Sequence, residues 1–146
     1  MKYKVVGQDI PNMPWEDKPE GYLGPIWRYS GNPVIKRNPI EGIARIFNSG
    51  VGYKDGEYVA VLRAEDTSCL PHLRVGHSKD GINWQVEDHP IEFLDEDGNK
   101  YNPYYAYDPR VVKVEDWYYV IWCTDFYGPT IGLAKTQDFV HFTRLE

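Results

Sequence analysis

The sequence predicts an all-β fold built from propeller-like blades, on three observations. First, two stretches read as one structural unit written twice: Val51 to Trp84 and Val111 to Phe142. Each runs strand, tight polar turn, strand, loop, strand, turn, aromatic-tipped strand. Second, the copies align Gly76 with Gly132, Lys79 with Lys135 and Trp84 with Phe142, at an offset of roughly sixty residues, the period of a four-stranded repeat. Third, alternation of apolar and polar residues begins near Ile43 and no amphipathic helix pattern is visible anywhere.

In chain order, residues 1–42 are rich in proline and glycine, from Pro11 and Pro14 to Pro33 and Pro39. Proline removes a donor and fixes φ, so this segment is expected to wrap a surface without regular elements. Residues 43–146 are expected to form two blades, about 43–90 and 106–146. Asp55-Gly56 sits between alternating strands and predicts a two-residue hairpin turn. Glu65 to Pro71 reads as a polar loop. Ser78-Lys79-Asp80-Gly81-Ile82-Asn83-Trp84 resembles the Asp-box hairpin of propeller glycosidases, in which Asp and Ser side chains satisfy turn amides and Trp anchors the hairpin. Asp80 is therefore structural and not catalytic. Glu87 to Tyr105 reads as a second long loop, turning at Asp97-Gly98-Asn99, and strands resume at Ala106.

Composition narrows the function. A chain of 146 residues buries a core of its own. The net charge of −6 argues against nucleic acid, because no basic stripe exists to neutralise phosphates. No apolar run of about 18 residues spans a membrane, and Met1–Asp9 has no signal-peptide core. The two cysteines, Cys69 and Cys123, could form a disulfide, but two thiols of a cytoplasmic protein is the reading adopted. No Cys/His spacing suggests a metal site. None of the four histidines, His72, His77, His89 and His141, is singled out. The aromatic share of 15%, with 12 Tyr and 5 Trp, suits packing between blades and also suits a sugar cleft.

The chemistry concentrates at two strand starts. Tyr104-Tyr105-Ala106-Tyr107-Asp108-Pro109-Arg110-Val111 places an acid at the start of an inner blade strand. A carboxyl beside Tyr105 and Tyr107 is partly desolvated, which suits a general acid. Equally, Asp108 caps a turn before Pro109. The matching stretch of the first copy is Arg45-Ile46-Phe47-Asn48-Ser49-Gly50-Val51, where Asn48 and Ser49 would face the channel and read sugar hydroxyls. Arg63, Glu65 and Asp66 follow at the exit of the next strand. Arg63 either grips a ligand or pairs with Glu65 or Asp66.

Together, Ile46-Phe47-Asn48-Ser49-Gly50, Val61-Leu62-Arg63-Ala64-Glu65 and Tyr107-Asp108-Pro109-Arg110-Val111 resemble the mannoside phosphorylases of glycoside hydrolase family 130, and among them the 4-O-β-D-mannosyl-D-glucose phosphorylase branch. The resemblance covers the chain from about Gly31 onward. It implies a five-bladed β-propeller, of which this chain covers about two blades. It implies inverting phosphorolysis of a β-1,4-mannoside to α-mannose 1-phosphate, with no cofactor and with inorganic phosphate as co-substrate. Asp108 matches the catalytic acid, whose proton is relayed through the 3-hydroxyl of the mannose. Asn48, Ser49 and Arg63 match the mannose subsite, with Arg45, Asp66 and Tyr107 as its neighbours. A phosphorylase needs one acid because phosphate is already an anionic nucleophile, whereas an inverting hydrolase needs a second carboxylate as base. The family's phosphate-binding residues belong to later blades. Open strand edges then imply association with another copy or with the remainder of a propeller. Two other readings stand beside this one: a β-mannoside hydrolase with Asp66 or Glu65 as base, and a non-catalytic glycan-binding module.

Overall fold

The computed structural model describes residues 16–125 and 128–145. Every regular element among them is a strand: β1 Ile43–Lys54, β2 Glu57–Asp66, β3 Pro71–Ser78, β4 Gln85–Val86, β5 Phe93–Leu94, β6 Lys100–Tyr101, β7 Tyr107–Val114, β8 Trp117–Thr124, β9 Thr130–Thr136 and β10 Phe142–Arg144. They form two sheets, one ordered β1-β2-β3-β4 and one ordered β6-β5-β10-β9-β8-β7. The all-β expectation is met, and the second sheet is larger than expected. Residues 16–42 carry turns and one isolated bridge, Ile40 to Ile43, but no strand or helix. The part of the wrapping segment that includes Pro11 and Pro14, and the Met1–Asp9 lead, lie outside the described residues. Among those described, no helix is long and apolar enough to cross a membrane.

The turns follow from local chemistry. Asp55 and Gly56 both have positive φ, 50° and 90°, which is what a two-residue hairpin between paired Lys54 and Glu57 requires. The segment read as a loop from Glu87 to Tyr105 holds the β5–β6 hairpin. Its turn is tied by Asp95, whose Oδ1 accepts from the amides of Asp97 at 3.0 Å and Asn99 at 2.8 Å. β5 then pairs parallel with β10 and extends the second sheet. Strands of two residues are too short for alternation to announce them.

The Asp-box is present twice, and the second copy was not read from the sequence. Ser78 Oγ accepts from the Gly81 amide at 2.9 Å, and Asp80 Oδ1 accepts from Ile82 and Asn83 at 2.8 Å each. Thr136 Oγ1 accepts from Phe139 at 2.9 Å, and Asp138 Oδ1 accepts from Val140 and His141 at 2.9 and 2.8 Å. The indole of Trp84 donates to Gly81 O at 2.9 Å and anchors the first turn, as expected. These bonds correct the sequence alignment of the copies. Ser78 answers to Thr136 and Asp80 to Asp138. Within the sheets Gly76 pairs with Ala60 and Ala134 with Val120, so Gly76 answers to Ala134, and Lys79 to Gln137. Gly132 and Lys135 sit two residues away from the positions first matched to them. Trp84 and Phe142 keep their correspondence.

These turns make the fold acid-sensitive. The amide and side-chain donors of Asn83, then the Ile82 amide, hold Asp80 well below the usual carboxylate range. Burial pushes Asp138 up, but bonds from the His141 ring and amide and from Val140 outweigh it and hold it low as well. A carboxyl depressed in the folded state stabilises the fold above its unfolded pKa of about 3.9, and that contribution is lost as pH falls from there through the folded value. Thermal stability should therefore drop as the pH is taken below about 4. Asp138→Asn should flatten that drop. An acid limb of the same steepness in the variant would contradict the assignment.

The core lies between the sheets. Val59, Val61, Leu73 and Val75 of the first face Tyr118, Val120, Trp122, Ala134, Phe139 and Phe142, with Phe93 from β5. Five buried rings, Phe93, Tyr118, Trp122, Phe139 and Phe142, pack here with Tyr101 against them, fewer than the composition had suggested. Trp122 stacks on Phe93 with centroids 4.4 Å apart and lies across Gly132, where a Cβ would come within 2.1 Å of the indole. The sheets approach most closely at β1 and β7. A Cβ on Gly50 would sit 2.7 Å from the Val111 nitrogen, so glycine is required for the contact. Tyr118 Oη closes the same seam by donating to Tyr53 O at 2.7 Å. On its outer face the second sheet leaves Val112, Val114, Ile121 and Ile131 exposed.

Candidate functional site

The β1–β7 seam positions the site. Each strand bulges against its partner at a matching place: Ile46 and Ser49 pair with Ala64 and Leu62, while Tyr107 and Arg110 pair with Cys123 and Ile121; β1 has a further bulge between Ile43 and Arg45. Such bulges bend a strand and re-aim a side chain. Asn48 lies in one bulge and Asp108 in the other, 60 residues apart and at equivalent places in the two sheets. Asp108 has φ of 52°, a left-handed conformation that Asn and Asp tolerate better than other side chains. Asp55 adopts the same region in its hairpin, so at Asp108 the conformation marks the sharp local bend of the bulge.

The bulges bring the expected residues together. Asp108 Oδ1 accepts from Asn48 Nδ2 at 3.1 Å and from Arg63 Nη1 at 2.9 Å. Arg63 Nη2 donates to Glu65 Oε1 at 2.6 Å, and Glu65 Oε2 faces Arg45 Nε at 3.3 Å. Burial lowers the Arg63 pKa, but the carboxylates of Glu65 and Asp108 outweigh it, so the guanidinium is held more firmly charged than usual. Its faces are covered by the rings of Phe47 at 4.9 Å and Tyr107 at 5.4 Å. Tyr107 in turn meets Tyr105 edge-on at 5.4 Å. Asp108 is thus placed against a cation and an amide, a more polar setting than two tyrosine rings alone would give. Of the two readings for Arg63, the ion pair with Glu65 is present, and the same guanidinium also reaches Asp108, a partner that was not read from the sequence.

Three residues turn elsewhere. Ser49 Oγ donates to Phe47 O at 3.0 Å, and Ser49 lines a cavity of about 560 Å³ with Phe47, Tyr53, Tyr58 and Trp84. Asp66 Oδ1 caps its own loop by accepting from Ser68 at 2.7 Å and Leu70 at 3.1 Å. Arg45 reaches Cys69 Sγ at 3.3 Å as well as Glu65. Phe47 was not read as a site residue, although it stands in the first copy where Tyr107 stands in the second. Each histidine faces an acid: His72 faces Asp66, His77 faces Glu57, His89 faces Asp88 and His141 faces Asp138. Among the described residues the one group able to gather around a cation is Glu87, Asp88 and His89, on the loop after β4.

Chemically, the site offers one carboxyl with Oδ1 held and Oδ2 without a hydrogen-bond partner among the described residues. Beside it stand a firmly charged guanidinium and two aromatic faces. That set suits a small polar ligand and proton transfer to it.

Comparison with known proteins agrees. Residues 7–146 match the glycoside hydrolase family 130 model, described as beta-1,4-mannooligosaccharide phosphorylase. The chain is 38% identical to a beta-1,4-mannooligosaccharide phosphorylase of Ruminococcus albus, with 100% of this chain aligned to 46% of that protein. It is 26% identical to a 4-O-beta-D-mannosyl-D-glucose phosphorylase of Bacteroides fragilis, over 82% of this chain and 34% of that protein. Its fold overlays a solved GH130 structure, from work on hydrolases that target β-1,2 mannosidic linkages in Candida mannan. That overlay has a TM-score of 0.65 and 25% identity, covering 88% of this chain and 43% of the other. The chain thus spans less than half the length of the curated relatives it matches. With a matching family model over nearly all of its residues, the chain belongs to glycoside hydrolase family 130.

Proposed function

We propose that the protein takes part in inverting phosphorolysis of a β-1,4-mannoside, yielding α-mannose 1-phosphate and a free sugar, with Asp108 as the general acid. The observation that carries this reading is Asp108 in its bulge, held through Oδ1 by Asn48 and Arg63, with no partner on Oδ2 among the described residues. Phosphate attacks C1 from the face opposite the leaving group. The C1–O bond breaks toward the leaving oxygen, which gains the proton of Asp108 by way of the mannose 3-hydroxyl. Asn48, Arg63 and Tyr107 hold the mannose, with Ser49, Arg45 and Asp66 further out. No cofactor is needed, because phosphate brings its own negative charge. The mannosyl-glucose and mannooligosaccharide relatives both support a β-1,4-mannoside, and the higher identity to the latter favours an oligosaccharide.

The same chain forms the first blades of a five-bladed propeller. The exposed Val112, Val114, Ile121 and Ile131 face is where a following blade, from the rest of a longer polypeptide or from a second copy, would pack. Cys69 and Cys123 are both free, in keeping with a cytoplasmic setting.

A hydrolase reading is supported by the GH130 hydrolase relative. It is opposed by the candidate bases, since Glu65 carries two arginines and Asp66 caps its loop. Incubation with β-1,4-mannosyl-glucose and β-1,4-mannobiose, with and without phosphate, separates the two. Phosphorus NMR should show mannose 1-phosphate only when phosphate is present. Free mannose formed equally without phosphate would establish hydrolysis instead.

A further inference from the structure

Glu65 takes no part in the reaction as read above, yet it is among the most buried charged groups of the structure, 6% exposed at the exit of β2. Its two oxygens carry two arginines, Arg63 at 2.6 Å and Arg45 at 3.3 Å. Burying the Glu65 carboxylate is costly, and its ion pairs with two partly exposed arginines do not by themselves favour folding. What the cluster does supply is geometry. Arg63 has one nitrogen on Glu65 and the other on Asp108, and Phe47 and Tyr107 cover the faces of its guanidinium. With Asn48, these restraints converge on a single oxygen of Asp108.

Resting on the phosphorylase reading, we propose that Glu65 is a positioning residue: by holding Arg63 it clamps Asp108 through Oδ1, so that the proton leaves from Oδ2. The step balances. The proton departs to the sugar hydroxyl, its bond pair stays on the carboxylate, and the new charge spreads to Oδ1, where Arg63 already donates. Stabilisation is thereby aimed at the charge that develops in the transition state. Glu65 has a second effect through the same contact, because its charge offsets that of Arg63. Without it, the whole cation would bear on Asp108 and favour the carboxylate, which has no proton to give. The other groups facing Asp108 are few. Arg45 on β1 is turned to Glu65 and Cys69. Arg110 on β7 folds back onto the carbonyls of Asp108 and Pro109. Tyr107 is the titratable neighbour.

The test compares Glu65→Gln and Glu65→Asp. In the first, the alkaline limb of the kcat/KM profile should move down by about one pH unit, with the KM for phosphate unchanged. Glu65→Asp keeps the charge but shortens the reach. It should keep the limb and lose about tenfold in kcat through misplacement of Arg63. A purely structural Glu65 would lower activity equally at every pH, and that result overturns the proposal. A second readout needs no turnover: carbon-13 NMR titration of the Asp108 carboxyl, assigned with Asp108→Asn. In folded Glu65→Gln its midpoint should fall by about one unit. If the protein joined to the remainder of its propeller forms no mannose 1-phosphate, the phosphorylase reading fails, while an unshifted carboxyl midpoint overturns the clamp itself. Should Glu65→Gln not fold, an unchanged kcat in Glu65→Asp overturns the proposal as well.

Discussion

Replacing Asp108 by asparagine should lower turnover about 1,000-fold, the scale of a lost general acid, and leave mannoside binding intact. The substitution is well suited to the site. Asparagine tolerates the φ of 52° that Asp108 adopts, so the bulge is kept. Both observed hydrogen bonds, from Asn48 and Arg63, go to Oδ1, and an amide oxygen can accept both. Only the second oxygen changes, into an NH2 that cannot act as a carboxylic acid. Turnover measured beside calorimetric binding of a β-1,4-mannoside checks both halves. Activity within a few-fold of wild type would remove Asp108 from the chemistry. Loss of binding together with activity would make it a ligand-holding group instead.

The largest effect on stability should come from Trp122→Ala, at about 3–5 kcal/mol. The indole is 2% exposed, stacks on Phe93 and fills the space that Gly132 leaves open. Its removal empties the middle of the second sheet, and the β5 hairpin that brings Phe93 loses its main contact. The melting temperature should fall by roughly 10 °C or more. A change of under about 1 kcal/mol, against that expected range, would mean that the core is not organised around this ring. Gly132 and Trp122 are opposed in the register of β8 and β9, so the size of one sets the size allowed to the other.

How much of this was legible depended on whether the signal was local. Asp55-Gly56 and the Ser78-to-Trp84 turn were readable because side chains and φ angles within a few residues determine them. The correspondence of the Asn48 and Asp108 stretches was readable through the repeat, but their meeting was not, because it depends on the approach of β1 to β7 and on Asn48 lying in a bulge well inside β1. The β5–β6 hairpin was hidden, because it is specified by the pairing of Phe93 with Phe142, far along the chain, and not by its own pattern. The repeat register was misread by two residues around Gly132 and Lys135. A slip of two keeps every side chain on its face of the strand, so the hydrophobic pattern raised no objection. Only the hydroxyl-x-Asp spacing, Ser78 with Asp80 and Thr136 with Asp138, reveals the true match. Asp66 illustrates another limit. Its position at a strand exit is visible in sequence, but the choice between facing a ligand and capping its own loop depends on how the chain returns at Leu70.

The equivalence of Asn48 and Asp108 also constrains how alike the two copies can be. A duplicated unit begins with the same residue at both places, and here those places touch. Two aspartates in contact would repel, and one of them would be pushed to hold a proton. Two asparagines would leave no acid at all. One acid and one amide is the pairing that gives a donor, an acceptor and a single charge. Sequence divergence at this one position therefore creates the observed contact, and a perfectly symmetric version of the repeat would replace it with two like groups.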